Sequence, residues 1–141
     1  MKNTKVVLDM MENVKVGLKA KIETVAEPKD SAVNYGSGGV DVYSTPAMVG
    51  LMESAAKKAV DTFLPDGYTT VGIKLDIKHL AATPIGMKVK AEAELIEVDG
   101  RKLTFKVEAY DEAEKIGEGL HERFVIDSEK FLSKLNNKTI K

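Results

Sequence analysis

The sequence predicts a single α+β domain in which one long apolar helix precedes an antiparallel sheet. Between positions 45 and 64, apolar residues recur at spacings of three and four, the period of a helix with one buried face. From position 71 to position 126 they alternate with polar residues, the period of strands that bury one face. The connections between the alternating segments are short, which favours antiparallel hairpins over parallel crossovers.

The first forty residues predict one strand and one loop. Residues 16–25 (VGLKAKIETV) alternate as a strand does, and the PKD sequence at 28–30 ends it. Residues 34–39 (NYGSGG) contain three glycines, so we expect a flexible loop and no packed element. Residues 6–11 fit either a short helix or a loose arm. We treat residues 1–141 as one domain, with residues 1–15 as an uncertain extension and residues 136–141 as a frayed tail.

The clearest element is a helix that we expect from Thr45 to about Leu64. Thr45 is a suitable N-cap and Pro46 suits the first helical position, while the PDG sequence at 65–67 stops the helix. Its apolar stripe is wide and has small alanines at the centre, which indicates a helix enclosed by a sheet. The stripe consists of Met48, Met52, Ala55, Ala59 and Phe63, flanked by Val49, Leu51, Ala56 and Val60.

Four alternating segments follow this helix. Asp99-Gly100 is a strong hairpin turn, and residues 111–114 form another tight reversal. A long apolar helix embraced by a curved antiparallel sheet is the hot-dog arrangement, which is the architecture we expect. Residues 128–135 indicate a short final helix. The predicted inward positions are Val71, Ile73, Leu75 and Ile77; Met87, Val89, Ala91, Ala93 and Leu95; Leu103, Phe105, Val107 and Ala109; and a less regular set in residues 116–126.

Composition excludes several classes of function. The 21 basic and 22 acidic residues give a net charge of −1, which argues against a dedicated nucleic-acid binder. The chain has no cysteine, so disulfides, thiolate nucleophiles and cysteine-ligated metal sites are excluded. Clustered metal-ligand spacing and a phosphate-binding glycine loop are also missing from the sequence. The first residues resemble neither a signal peptide nor a membrane span, so we expect a cytoplasmic protein without a membrane partner.

His79 and Glu53 are polar residues at positions where a buried face begins or ends. His79 continues the parity of Ile77 at the end of its strand, so it can be partly desolvated and face a pocket. A histidine that only fills space there is the alternative. Glu53 lies about 100° from the centre of the helical stripe, where a carboxylate can act as a base or nucleophile. The alternative is a solvated glutamate beside Lys57, its i+4 neighbour.

Three further residues have a simple structural interpretation, and two of them have a functional one beside it. Thr45 is sufficiently explained as an N-cap, although a hydroxyl at a helix N-terminus also lies near N–H groups that can bind an oxyanion. Arg123 is most simply a surface charge, with phosphate or carboxylate binding as the alternative. His121 shares its face with Gly117, Gly119 and Arg123, and we interpret it as structural.

Three separated blocks of sequence carry a resemblance to a known family. They are TPAMVGLMESA at 45–55, VGIKLDIKHLAATPIGMKV at 71–89 and GEGLHERFVID at 117–127. In order and spacing they resemble the fluoroacetyl-CoA thioesterase-like family, over nearly all of residues 42–134. The resemblance implies a hot-dog subunit whose sheet joins that of a second copy edge to edge. It therefore implies a homodimer with active sites built from both chains, and leaves a tetramer open.

The resemblance also implies the residues of the site. It carries the catalytic threonine, glutamate and histidine of the family onto Thr45, Glu53 and His79. Its substrate-binding glycine and arginine fall on Gly72 and Arg123. The activity that it implies is hydrolysis of an acyl-CoA substrate, without a cofactor or metal.

The segment before the long helix departs from the family. The fluoroacetyl-specific member has a lid of bulky aromatic residues there, whereas residues 34–39 of this chain contain Tyr35 alone, with Tyr43 farther on. We therefore expect hydrolysis of a small or medium acyl-CoA thioester, with the acyl group left open. The alternatives are enoyl-CoA hydration on the same fold and non-catalytic binding of acyl-CoA.

Overall fold

The structure, a computed structural model, describes residues 4–138, with side chains from residue 7 onward. One long helix contacts all five strands of a single antiparallel sheet, so the predicted α+β architecture is confirmed. The elements in chain order are α1 (Thr4–Met10), β1 (Lys19–Val25), a 3-10 helix (Pro28–Asp30), α2 (Ala32–Tyr35), α3 (Thr45–Asp61), β2 (Tyr68–His79), β3 (Lys88–Asp99), β4 (Lys102–Asp111), β5 (Lys115–Asp127) and α4 (Ser128–Asn136).

The long helix α3 is held by its apolar face. The buried residues of this face are Met48, Met52, Ala55, Ala56, Ala59 and Val60, as the helical spacing predicts. The helix ends at Asp61 and not near Leu64, and Phe63 is 40% exposed, so the last turn of the predicted stripe was wrong. The N–H groups of Phe63 and Leu64 donate to the carbonyls three residues earlier, which tightens the chain before Pro65.

The sheet has the strand order β1-β3-β4-β5-β2, and every neighbouring pair is antiparallel. The predicted Asp99-Gly100 turn joins β3 to β4, and Gly100 adopts the left-handed φ of 62° that this turn needs. The alternation predicted for β3 and β4 is confirmed by their buried residues. The buried apolar residues are Val89, Ala91, Ala93 and Leu95 on β3 and Leu103, Phe105, Val107 and Ala109 on β4, and Thr104 on β4 is buried as well.

The edge strand β2 departs from the predicted alternation. Its register with β5 shifts between Gly72 and Lys74, which makes Ile73 the extra residue of a β-bulge. Because a bulge interrupts the alternation of side chains, positions on its two sides do not share one face. Ile77 packs against the core, whereas Ile73 is 51% and Leu75 45% exposed along the outer edge of the sheet. The prediction of one buried face was therefore wrong for the set Val71, Ile73, Leu75 and Ile77.

The segment before β1 packs on the same core. Val7, Met11 and Val14 are buried in the core cluster, so of the two interpretations of residues 6–11 the helix is confirmed. The predicted first strand begins later than residue 16, at Lys19, because the chain turns at Gly17 with a left-handed φ of 104°.

The glycine-rich segment is only partly a loop. Asn34 and Tyr35 are the last residues of α2, contrary to the prediction that residues 34–39 contain no packed element. Ser31 caps this short helix by accepting from the Asn34 N–H at 3.0 Å, and Gly36 ends it with a φ of 71°.

The predicted final helix is confirmed as α4, which extends one residue further, to Asn136. Of the extension and the tail that the sequence suggests, residues 1–3 and 139–141 lie outside the described residues. Within residues 4–138, no helix combines the length and apolar character needed to cross a membrane.

Candidate active site

Thr45 and His79 form a side-chain pair at one end of the sheet. Thr45 is the first residue of α3 and His79 the last residue of β2. The Thr45 Oγ1 lies 2.7 Å from the His79 Nδ1, a distance that suits a hydroxyl donating to an unprotonated ring nitrogen. Such a hydroxyl and imidazole are the elements of an activated nucleophile and its base.

Thr45 is free for this contact because another residue caps the helix. The N-cap is Ser44, whose Oγ accepts from the Ala47 N–H at 3.1 Å, and Pro46 lies at the second helical position. The prediction that Thr45 is the cap was therefore wrong by one residue. Serine and threonine are both good N-cap residues. The buried Ser44 is the cap here because its backbone has the extended conformation typical of that position.

His79 is half-buried and faces inward, as its parity predicts. Burial lowers the pKa of His79, and the backbone at Ala81 offsets part of this effect. Within residues 4–138 its buried Nε2 has no hydrogen-bond partner. The imidazole is therefore neutral near pH 7 and can accept a proton.

A groove open to solvent runs past this pair. Its volume is about 340 Å³, and most of its walls are small or aliphatic side chains. The residues that line it are Ala32, Ser37, Val42, Tyr43, Ser44, Thr45, His79, Leu80, Ala81 and Ala82.

Glu53 lies farther along α3, in a second polar cluster that it forms with Arg123, Thr70 and Gly72. Its side chain is 37% exposed, as expected at the border of the buried face, and its Oε2 lies 3.9 Å from the Arg123 Nη1. Lys57, the partner in the alternative interpretation, pairs instead with Asp61. The glutamate is therefore oriented toward the sheet and its arginine.

Arg123 is buried, so its interpretation as a surface charge was wrong. It is 6% exposed, and its side chain is anchored on β2. The Nε donates to the Thr70 Oγ1 at 2.7 Å, and the Nη2 donates to the Thr70 carbonyl at 2.9 Å. Sequence reasoning missed Thr70, since a threonine in an alternating strand carries no signal that it holds a buried charge.

Gly72 provides space for this second cluster. A Cβ at position 72 would lie 2.8 Å from the Glu53 Oε2 and 3.2 Å from the His121 Cε1. The glycine therefore lies directly beneath the carboxylate.

Within one chain the structure does not bring the two clusters together. Thr45 and Glu53 are separated by about 12 Å along the axis of α3, at 1.5 Å per residue. Gly72 and His79 are separated by roughly 20 Å along β2. Inside a single subunit, Glu53 is therefore far from the pair of Thr45 and His79.

The described residues contain no group of three or more histidine, aspartate or glutamate side chains placed to hold a metal ion. The two clusters contribute a hydroxyl, an imidazole, a carboxylate and a guanidinium.

One long helix wrapped by a five-stranded antiparallel sheet defines the class of hot-dog proteins. A hot-dog-like protein from Thermanaerovibrio acidaminovorans has the same fold, with a TM-score of 0.80 over 89% of this chain and 93% of that one, at 22% identity. Residues 25–129 match the family described as fluoroacetyl-CoA-specific thioesterase, and the chain belongs to this family.

Individual relatives agree with this assignment. The fluoroacetyl-CoA thioesterase of Streptantibioticus cattleyicolor is 44% identical over 99 residues, which cover 70% of this chain and 71% of the relative. The solved structure of the fluoroacetyl-CoA thioesterase FlK has a TM-score of 0.84 at 37% identity, over 89% of this chain and 98% of that one. A thioesterase superfamily member from Thermus thermophilus has a TM-score of 0.81 at 31% identity, over 88% and 92% of the two chains.

Proposed function

We propose that this protein is a homodimeric acyl-CoA thioesterase whose active sites combine residues of both subunits. In each site, Thr45 and His79 of one protomer face Glu53, Gly72 and Arg123 of its partner. Membership of the thioesterase family supports thioester hydrolysis. The observation that carries the two-chain site is the separation of Glu53 from the Thr45–His79 pair within one subunit.

The open edge of β2 supports this arrangement. β2 is an edge strand, and Ile73 and Leu75 expose apolar surface along it. If two copies pair antiparallel through β2 about an axis between Leu75 and Asp76, each residue faces its mirror position in the partner. Gly72 and His79 are equally distant from that axis, so the pairing sets His79 of one protomer opposite Gly72 of the other. The dimer thereby unites the two polar clusters.

The proposed reaction begins at the pair with the shortest contact. As the Thr45 oxygen attacks the thioester carbonyl carbon, His79 accepts the hydroxyl proton. The carbon–sulfur bond breaks, and the CoA thiolate takes that proton from His79. The carboxylate of Glu53 then takes a proton from the water that attacks the Thr45 ester, and this proton passes to the Thr45 oxygen as the ester bond breaks and the free acid leaves. The positive end of α3 stabilises the oxyanion that forms in each step.

Direct attack by Glu53 is the second route that the residues allow, because its carboxylate is partly exposed. Hydrolysis in water enriched in oxygen-18 under single-turnover conditions separates the two. Label in the Glu53 carboxylate would support the direct route, and a Thr45 ester recovered after an acid quench supports activated water.

The groove beside Thr45 supports a small or medium acyl group. Of residues 34–39, Ser37 lines this groove, whereas Tyr35 lines a different one. One variant of the FlK thioesterase has been solved with fluoroacetate and CoA, and another with acetyl-CoA. We infer an acyl-CoA substrate of this size class for the present chain. Cytoplasmic location, independence of cofactors and any assembly beyond the dimer stay predictions.

The direct test measures CoA release from acyl-CoAs of varied length. We expect turnover by the wild type and a loss of about 100-fold or more in His79→Ala and Glu53→Gln. Glu97→Gln is the matched control, because this exposed glutamate lies outside both clusters. Wild-type rates in His79→Ala or Glu53→Gln would contradict the assignment of the site.

Two other outcomes would favour the alternatives. Loss of the enoyl absorbance of crotonyl-CoA without CoA release would indicate hydration. Thermal stabilisation by acyl-CoAs without CoA release would indicate a binding domain.

A further inference from the structure

His121 is fully buried at the centre of the second cluster. Its exposure is 0%, and the ring of Phe105 lies beside it with centroids 6.4 Å apart. The Nδ1 lies 2.8 Å from the Lys74 carbonyl oxygen, and the Nε2 lies 3.2 Å from the Arg123 Nη1. Both ring nitrogens therefore have a partner, and the two partners differ in kind.

These partners allow only one protonation state of His121. A carbonyl oxygen can only accept a hydrogen bond, so the Nδ1 must carry a proton. A guanidinium can only donate, so the Nε2 must present its lone pair. Both contacts are made only when His121 is neutral with the proton on Nδ1.

Each contact of His121 holds a different part of the site. The Lys74 carbonyl belongs to the residue directly after the bulge, so the Nδ1–H fixes β2 where it turns past Gly72. The Nε2 accepts from Arg123, whose Nε and Nη2 are already bound to Thr70. Together these contacts fix the plane of the guanidinium. Its Nη1 then lies at ion-pair distance from the Glu53 carboxylate.

We propose that His121 is a positioning residue for acyl-CoA hydrolysis, which as the neutral Nδ1–H imidazole orients Arg123 toward the carboxylate of Glu53. The proposal rests on the proposed thioesterase function. His121 itself does not contact the substrate; it acts through Arg123 and through the bulge that sets Gly72 beneath Glu53.

The charges around His121 agree with a neutral ring. Burial lowers its pKa, and the charge of Arg123 lowers it further. The Lys74 carbonyl and the carboxylates of Glu53 and Glu122 act in the opposite direction. A proton on Nε2 would point at the positively charged guanidinium of Arg123. Protonation of His121 at low pH should therefore repel the guanidinium and let it rotate out of its plane.

Two substitutions separate the contacts. In His121→Asn, the amide nitrogen reaches the place of Nδ1 and keeps the bond to Lys74, but the acceptor for Arg123 is lost. In His121→Gln, the amide oxygen reaches the place of Nε2 and keeps that acceptor. We expect His121→Asn to lower kcat about ten- to a hundredfold, with a KM within about threefold of wild type. His121→Gln should recover most of the lost kcat.

A double-mutant cycle with Arg123→Lys tests whether His121 acts through Arg123. In that background, His121→Asn should cause no further loss of kcat, because the oriented guanidinium is already gone. Additive losses, equal impairment of the Asn and Gln variants, or wild-type kcat in His121→Asn would overturn the proposal.

The protonation state provides a readout without any activity. The chain has only two histidines, so in His79→Gln the nitrogen-15 imidazole signals belong to His121 alone. At neutral pH we expect a neutral ring protonated on Nδ1. A ring protonated on Nε2, or on both nitrogens, would overturn the proposal even if the variants lose activity. If the wild type releases no CoA from any acyl-CoA, the proposed function fails, and this spectrum still decides the state of His121.

Discussion

The carboxylate of Glu53 fills the space that a side chain at Gly72 would need. A Cβ at position 72 would lie 2.8 Å from the Glu53 Oε2, closer than real Cβ contacts allow. The backbone of β2 thus approaches the candidate base directly, at the point where the strand bulges.

We predict that Gly72→Ala lowers kcat/KM on the order of 100-fold, because it displaces Glu53 by a fraction of an ångström or more. The displaced group is the end of a flexible side chain, so the fold should tolerate the change. Steady-state kinetics and thermal unfolding of the same preparation check both parts.

Gly50→Ala is the matched control for that substitution. Gly50 lies within α3, and a Cβ there would have nothing within 4 Å. An alanine in a helix interior should stabilise the protein by about 0.5–1 kcal/mol, with activity unchanged. Equal kinetics in the two variants would show that the contact between Gly72 and Glu53 is not needed.

A second prediction separates the helix cap from the candidate nucleophile. Thr45→Val keeps the shape of the side chain and removes the hydroxyl that contacts His79, so activity should fall with little change in stability. Ser44→Ala removes the N-cap and should cost about 1 kcal/mol in the free energy of unfolding. Chemical denaturation and CoA-release assays on both variants check this. If Thr45→Val lost the stability and Ser44→Ala did not, the two roles would be reversed.

The sequence predicts best those elements in which the same pattern of apolar residues repeats many times. The stripe of α3 and the alternation of β3 and β4 each repeat over several turns or pairs, so one atypical residue does not change the interpretation. The cap was misplaced because Ser44 and Thr45 are both suitable and differ by one position. The bulge at Ile73 was missed because apolar and polar residues keep alternating in the sequence of this edge strand, even where its pairing register with β5 shifts.

A third prediction concerns the pH dependence of the rate. Because burial lowers the pKa of His79, the neutral base persists to a pH below its ordinary value of about 6.5. Activity should be full above that value and should fall as pH drops through the lowered pKa. A profile of kcat/KM against pH checks this. An acid limb centred at or above about 6.5 would contradict the burial of the base.

The lowered pKa values of the two histidines predict how the stability of the fold depends on pH. Folding makes both His79 and His121 harder to protonate, so below about pH 6.5 the unfolded chain binds more protons than the folded one. The stability from these groups is therefore fully present above that pH and is lost as pH falls toward the folded pKa values. Denaturation series at several pH values check the sign, and greater stability on mild acidification would oppose it.

The site was less accessible to sequence reasoning than the fold. The position of Glu53 at the border of a buried face and the inward parity of His79 follow from periodicity. Their separation within one subunit does not, because the period within each element carries no information about the distance between two elements. Burial of Arg123 depends on Thr70, which becomes its partner only through the pairing of β2 with β5.

The central claim, a site shared between two subunits, is tested most directly by mixing two inactive variants. Glu53→Gln retains the Thr45–His79 pair, and His79→Ala retains Glu53. When equal amounts are denatured together and refolded, half of the dimers should be mixed, and each of these has one complete site. We predict recovery of about a quarter of wild-type activity, since wild-type dimers have two sites. A mixture as inactive as its separate components would contradict the claim.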